Sequence, residues 1–379
     1  MSTLKETHLS AYLLQRIGTE SPLSSRDGVS ISEILPQAVR EDLDLCRRFF
    51  QESLLNTEGR EEADFPREMQ DILGLEEEPP VLPPYLAERM ARHLVRMEGK
   101  WFRSALTLLS ARLCGAAREV SVPVGAALEL IHLATLIHDD IIDQGDQRRG
   151  QASLPFLRGP AVSVLMGDLL HAKAMRILSE VENSAIILRI AESVYQVCLG
   201  EISQHQFSRE TPPTESEYLQ IIRKKTGALI AGSALAGAVL AGKSDLLIST
   251  LREFGFNLGI AFQISDDILD VTAPEEELGK KIGTDLRNGY MTLPLIHAFE
   301  ASKENSNTGL FRGEEGATVP ALVEWLDETG SLSYAREVAR RFTERAKKIL
   351  ASIPMDPGMD DTVLGPLTAL ADFVAERSQ

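Results

Sequence analysis

Residues 129–150 read ELIHLATLIHDDIIDQGDQRRG, and their spacing decides the fold. At ~100° per residue a helix brings His132, Thr135, Asp139 and Asp143 onto one stripe, because successive members lie three or four positions apart. One helical face therefore carries two carboxylates, with Asp140 beside them. Residues 262–270, FQISDDILD, repeat the device: Phe262, Gln263, Asp266 and Asp270 share a stripe, and Asp267 stands alongside.

Outward from these two segments, helical periodicity runs from about Pro36 onward, and no sustained alternation of the strand kind interrupts it. The expected fold class is all-α. Pro123 and Pro160 suit first turns of helices, whereas Gly115, Gly242 and Gly255 suit helix ends or close contacts. Residues 144–159 and 272–289, one after each aspartate cluster, read as loops. Residues 1–30 are polar and weakly periodic, and 57–83 form an acidic, proline-rich insertion. One helical domain is expected over 31–379.

Carboxylates four apart on a helix repel one another, and partial burial adds to that cost unless positive charge lies between them. Mg²⁺ is the natural counter-ion: a hard, oxygen-seeking cation that takes one or two carboxylates and leaves positions for water and phosphate oxygens. Two acidic faces opposed across a cavity would hold a diphosphate through bridging metals. A single DDxxD is more often a solvated face or helix end. Two copies embedded among apolar residues are not explained that way.

Composition narrows the partners. Acidic residues outnumber basic ones, 56 to 39, for a net charge of −17. With no concentrated basic patch, nucleic acid is excluded as a partner. Cys46, Cys114 and Cys198 stand far apart without metal-ligand or disulfide spacing, which points to a reducing, cytoplasmic compartment. The N-terminus lacks the apolar core of a signal peptide. The stretch 227–242, GALIAGSALAGAVLAG, is shorter than the ~20 residues that span a bilayer. Its small residues suit a buried central helix, and membrane contact is at most peripheral, for product release.

The basic residues cluster near the acidic motifs. Lys100 and Arg103 are three apart and expected on one helical face; Arg148 and Arg149 follow the first cluster; Lys225 and Thr226 open the small-residue helix; Lys280 follows the second cluster. Any one alone is an ordinary surface residue. Together they suit a second diphosphate bound without metal, with Arg giving bidentate contacts. His132, alone more often a core histidine, lies two turns above Asp139 on the same face, within reach of a diphosphate.

These blocks together resemble the trans-isoprenyl diphosphate synthase, or polyprenyl synthetase, family. The matching segments are GKWFR at Gly99, ELIHLATLIHDDIIDQGDQRRG, GDLL at Gly167, GEISQ at Gly200, KTGALIAG at Lys225, FQISDDILD and LGKKIGTDLRNGYMTLPLIHA at Leu278. The resemblance implies the isoprenoid synthase fold, a single bundle of long helices around a deep central cavity, usually as a homodimer. It implies a prenyltransferase that condenses isopentenyl diphosphate with an allylic diphosphate, using Mg²⁺, about three ions when diphosphate is bound. By resemblance Asp139, Asp143 and Asp266 would be metal ligands, supported by Asp140, Asp267, Asp270 and Gln263. Arg148, Lys225, Thr226 and Lys280 would contact the allylic diphosphate, and Lys100, Arg103, His132 and Arg149 the isopentenyl diphosphate.

Three features depart from the family pattern: Trp101 and Ser104 in the segment usually written GGKRxRP, Tyr290 where lysine is common, and the acidic insertion. In this family the residues one turn before the first cluster form part of the cavity floor, and aromatic side chains there stop growth early. Ala134 and Thr135 leave room, so the resemblance is greatest to synthases of all-trans hexaprenyl to decaprenyl chains. Leu170 and Met175, deeper in the cavity, are further candidates to close it, which would leave a geranylgeranyl or farnesyl product. A terpene cyclase, a head-to-head synthase and a non-catalytic partner subunit are the rival readings.

Overall fold

The computed structural model describes residues 31–55, 85–97, 99–208, 210–273, 284–302 and 319–376. The 1–30 segment, the 57–83 insertion and Lys280 lie outside the described residues. In chain order the helices are α1 (Ile31–Ile34), α2 (Gln37–Leu55), α3 (Tyr85–Val95), α4 (Phe102–Cys114), α5 (Arg118–Ile142), α6 (Leu154–Arg158), α7 (Pro160–Glu180) and α8 (Ser184–Gln204). There follow α9 (Glu215–Ile222), a π-helical turn (Arg223–Gly227), α10 (Ala228–Leu240), α11 (Asp245–Thr272), α12 (Thr284–Arg287), α13 (Leu293–Ala301), α14 (Val319–Glu328), α15 (Ser331–Ala351) and α16 (Leu364–Glu376).

The all-α expectation holds with one small exception. The 144–159 loop contains a minimal hairpin, β1 (Gln147–Arg148) against β2 (Gln151–Ala152). Its two-residue turn, Arg149–Gly150, has positive φ at both positions, +52° and +70°, as a primed turn demands. Residues 154–158 then form α6, capped by the Ser153 hydroxyl.

The small-residue helix sits at the centre. Every side chain of α10 from Ala228 to Val239 is buried, and the helix packs against α4, α8 and α11. Backbones come this close only because side chains are missing: a β-carbon on Gly237 would stand 2.2 Å from the Ala111 nitrogen of α4. Gly255 plays the same part in mid-α11, where a β-carbon would lie 2.6 Å from the Ala231 α-carbon. Burial here replaces the amphipathic pattern of a surface helix.

One expectation changes. Pro123 lies inside α5 rather than in its first turn, because Arg118 already starts the helix; the ring removes one backbone hydrogen bond there. By length and composition α5 is itself apolar enough to cross a bilayer, although most of that stretch is packed inside the protein. It is a core helix, flanked by α4, α7 and α2.

Candidate active site

The first acidic stripe forms as the spacing requires. Between Ser121 and Ile137 only His132, Thr135 and Leu136 break a wholly buried run, and the partly open line continues through Asp139 to Asp143. Asp143 ends the helix as its C-cap, where the dipole is unfavourable for a carboxylate. The Tyr290 hydroxyl compensates by donating a 2.9 Å hydrogen bond to Asp143 Oδ1.

The three aspartates of each cluster are not equivalent. Asp140 is buried and takes Arg148 Nε at 2.7 Å and Nη2 at 2.6 Å, so in this state Arg148 clasps a carboxylate rather than standing free for phosphate. Asp267 is its counterpart, buried beneath the Tyr218 hydroxyl at 2.6 Å and Gln263 Nε2 at 2.8 Å. Burial, reinforced by the Asp285 carboxylate, pushes Asp267 up to about 8 against those two donors. Asp270, buried, accepts the backbone N–H of Asp285 at 3.1 Å. Asp139 and Asp266 remain partly open.

Lys225 lies in the π-helical turn, a local widening that often marks a functional site. The lysine does not open the small-residue helix; a continuous helical path from α9 passes through the wide turn into α10. Its Nζ donates to Glu201 Oε2 and Gln204 Oε1, each at 2.7 Å. Burial alone would lower its ammonium, but Glu201 and Asp139 outweigh that and hold it above its ordinary value. Thr226, next in the turn, donates its hydroxyl to Gln263 Oε1, joining this turn to the second cluster.

Burial pushes Asp139 up to about 7 even though Lys225 draws it down, with Glu201 adding to the rise. Such a carboxylate is short of positive charge. Among the described residues no three acidic, His or Cys side chains converge into a ready-made metal cage. The donor set is nevertheless all hard oxygen, spread over two helices, and so fits a cation that takes few protein ligands and completes its shell from phosphate.

A second subsite lies above. A cleft enclosing about 410 Å³, open mouth included, is lined by Gly99, Trp101, Glu129, His132, Leu136 and Arg149, with α2 and α3 supplying apolar wall. Arg149 is exposed as a residue, but its guanidinium reaches inward, with Nη1 donating to Met97 O at 2.6 Å. Burial and the adjacent Arg148 lower it to about 10. His132 is held well below its usual value, first by burial and then by Arg103, Arg149 and Arg148, so its imidazole is neutral. Arg103 is buried, and its Nε finds no hydrogen-bond partner among the described residues.

Lys100 and Arg103 do not share a helical face. The helix begins at Phe102, and Trp101 stands in the left-handed region at φ +56°, its indole packed edge-on at 5.0 Å from Phe50. Lys100 is thereby turned outward, exposed, with its ammonium 5.7 Å from the Phe373 ring centre. Ser104, where the family pattern has proline, offers an N–H that a proline lacks, and Glu129 Oε1 accepts it at 3.0 Å. Of the chain-length pair, Ala134 is fully buried in the core and only Thr135 lies on the open stripe. Leu170 is likewise buried, while Met175 packs partly buried against the core.

Sequence reasoning assigned no role to Glu129, Glu201, Gln204 or Tyr218. Glu201 and Gln204 stand in the GEISQ block, whose polar residues on a buried-facing helix were the available signal; a lone tyrosine such as Tyr218 carried none.

Residues 84–319 match the model of the family described as polyprenyl synthetase. The chain belongs to the polyprenyl synthetase family. This synthetase is 40% identical over 306 residues to a geranylgeranyl diphosphate synthase of Methanosarcina mazei, covering 79% of this chain and 92% of that one. It is 32% identical over 298 residues to an octaprenyl diphosphate synthase of Escherichia coli, covering 78% and 91%. A solved polyprenyl synthase from Caulobacter crescentus, complexed with calcium and isoprenyl diphosphate, superposes with TM-score 0.77 at 30% identity, covering 94% and 99%. The synthetase therefore has the isoprenoid synthase fold and is a prenyltransferase, of a family that uses isoprenyl diphosphates and generally depends on a divalent metal.

Proposed function

We propose that this synthetase condenses isopentenyl diphosphate with an allylic diphosphate to build an all-trans polyprenyl diphosphate of hexaprenyl to decaprenyl length. The observation that carries the reading is the partly open line His132–Thr135–Asp139–Asp143 on an otherwise buried α5, with Lys225 facing its acidic end. Asp139, Asp143 and Asp266 would hold Mg²⁺. Bound there, the metal supplies Lewis-acid stabilisation of the departing diphosphate.

The chain's own groups do the rest. Lys225 and Thr226 orient the allylic diphosphate from the π-helical turn, and Lys225 stabilises negative charge as the carbon–oxygen bond breaks. Arg148 joins them on leaving Asp140. Arg103, Arg149 and neutral His132 would receive isopentenyl diphosphate, Arg103 offering a buried donor that nothing among the described residues occupies. The apolar wall excludes water from the allylic cation, which the isopentenyl double bond attacks. Proton loss, with the released diphosphate as base, completes a cycle.

Chain length rests on Thr135, small and open at the cavity stripe. A geranylgeranyl product is the second reading, favoured by the Methanosarcina relative. Leu188, Tyr195 and Ile202 of α8 are 65%, 58% and 62% exposed and recur every seven residues, one apolar stripe. Leu165 of the neighbouring α7 is 67% exposed as well, and burial of these apolar side chains against a second copy of this chain would give a homodimer. The unpaired cysteines suit work in the cytoplasm.

The test is incubation with Mg²⁺, radiolabelled isopentenyl diphosphate and farnesyl or geranylgeranyl diphosphate, followed by sizing of the products. Linear chains of six to ten isoprene units, lost in Asp139→Ala and Asp266→Ala, are the expected result. Products no longer than geranylgeranyl would overturn the length, and no elongation with any primer would overturn the reaction.

A further inference from the structure

Tyr290 replaces a lysine of the family pattern, yet it is not an idle substitution. Asp285 gives its backbone N–H to Asp270 Oδ2, which fastens the short helix α12 to the second acidic cluster. That helix ends at Arg287, and Gly289 just beyond it has a φ of +81°, of the kind glycine adopts freely. Gly289 N–H bonds to Leu286 O at 3.1 Å and Tyr290 N–H to Asp285 O at 2.9 Å, the paired bonds of a Schellman turn. This turn delivers the Tyr290 side chain across to the first cluster. There its hydroxyl donates to Asp143 Oδ1, and its ring centre lies 5.6 Å from Lys225 Nζ. His205, at the end of α8, meets the same ring edge-on at 6.0 Å.

We infer that Tyr290 is a positioning residue for the metal-and-diphosphate site, acting through Asp143. The inference rests on the proposed role of Asp143 as a metal ligand. A phenol donating to Oδ1 fixes the carboxylate plane and leaves Oδ2 for a hard cation. The donor does so at the C-terminus of α5, where a carboxylate lacking a partner would otherwise reorient. A lysine here would present a mobile charge to the phosphate; the tyrosine exchanges that for a fixed donor to the ligand and an aromatic neighbour for Lys225. One six-residue path, from Asp285 to Tyr290, thereby ties the last aspartate of each cluster to the other.

Tyr290→Phe keeps the ring and removes the hydroxyl. Binding of inorganic diphosphate is measured calorimetrically across a Mg²⁺ titration, beside turnover over the same range. The variant should need roughly tenfold more Mg²⁺ for half-maximal binding, the usual scale for a group supporting a metal ligand. Its melting temperature should stay at the parent's value and the lost turnover should be recovered as Mg²⁺ is raised, which a merely structural loss would not allow. A parent with Mg²⁺-dependent binding and a variant with the same Mg²⁺ requirement would overturn the role of Tyr290 alone. Diphosphate binding by the parent without any need for Mg²⁺ would overturn the metal reading, and this inference with it.

Discussion

Gly200 of α8 and Lys225 of the π-helical turn are in backbone contact: a β-carbon at residue 200 would stand 2.3 Å from the Lys225 nitrogen. That approach is what lets Glu201, the next residue, and Gln204, one turn along α8, reach the Lys225 ammonium at 2.7 Å each. Because the clash is with backbone, no side chain can swing aside to relieve it. Gly200→Ala should therefore push α8 from the turn, costing about 1–3 kcal/mol of stability as an overpacked contact. Turnover should fall further than stability predicts, since Lys225 loses both anchors. Denaturant melts beside initial rates will show it; an alanine variant with parental turnover would mean that the contact positions nothing.

His132 gives a pH prediction. Its folded-state pKa lies well below the ordinary value, through burial and then through Arg103, Arg149 and Arg148. The unfolded chain takes up the proton first, so stability from the neutral imidazole is present above ~6.5 and is lost as pH falls below it, at up to ~1.4 kcal/mol per pH unit. Asp139, raised to about 7, acts in the opposite sense, since its contribution is lost as pH rises through that value. The two are separated by comparison with His132→Gln. Between pH 6.5 and 5 the parent should lose stability more steeply than the variant, and identical slopes would show that His132 is not buried beside those charges.

The legible part of this chain is its periodic part. Spacing alone placed His132, Thr135, Asp139 and Asp143 on one line, and small residues alone placed residues 227–242 in a packed centre, because both follow from helical geometry and steric size. What spacing could not give is which aspartate of each cluster is open. Asp140 and Asp267 are buried by partners outside the helical spacing, Arg148 eight residues on in β1 and Tyr218 on another helix. Lys100 was placed wrongly for a local reason: the left-handed Trp101 breaks the helix one residue after it, and L-residues adopt that region too rarely for spacing to announce it.

The exposed stripe on α8 bears on assembly. Leu188 and Ile202 flank Tyr195 at seven-residue intervals, and Leu165 stands on the neighbouring α7. Leu165→Asp combined with Leu188→Asp places charge on exposed positions, so the folded monomer should survive within ~0.5 kcal/mol. A second copy could no longer bury that face without burying the new charges. Sedimentation should shift from dimer toward monomer, with helical content unchanged. A double variant that sediments as the parent does would assign this face to something other than self-association.

Ala134 and Thr135 are adjacent in sequence and opposite in consequence. Ala134 is fully buried, so Ala134→Phe must overfill a closed core and should cost at least the ~1–3 kcal/mol typical of overpacking, lowering yield and melting temperature before product length can change. Thr135 is partly open on the line that leads to Asp139, and its hydroxyl donates to the His132 carbonyl of its own helix, at 2.7 Å. Thr135→Phe can therefore direct its ring into the cavity without displacing a neighbouring helix. The melting temperature should stay near that of the parent while the product distribution shortens toward geranylgeranyl or farnesyl, read by chromatography of the dephosphorylated chains. Unchanged products from a well-folded Thr135→Phe would move the floor of the cavity away from this turn, leaving Met175 on α7 as the next side chain to enlarge.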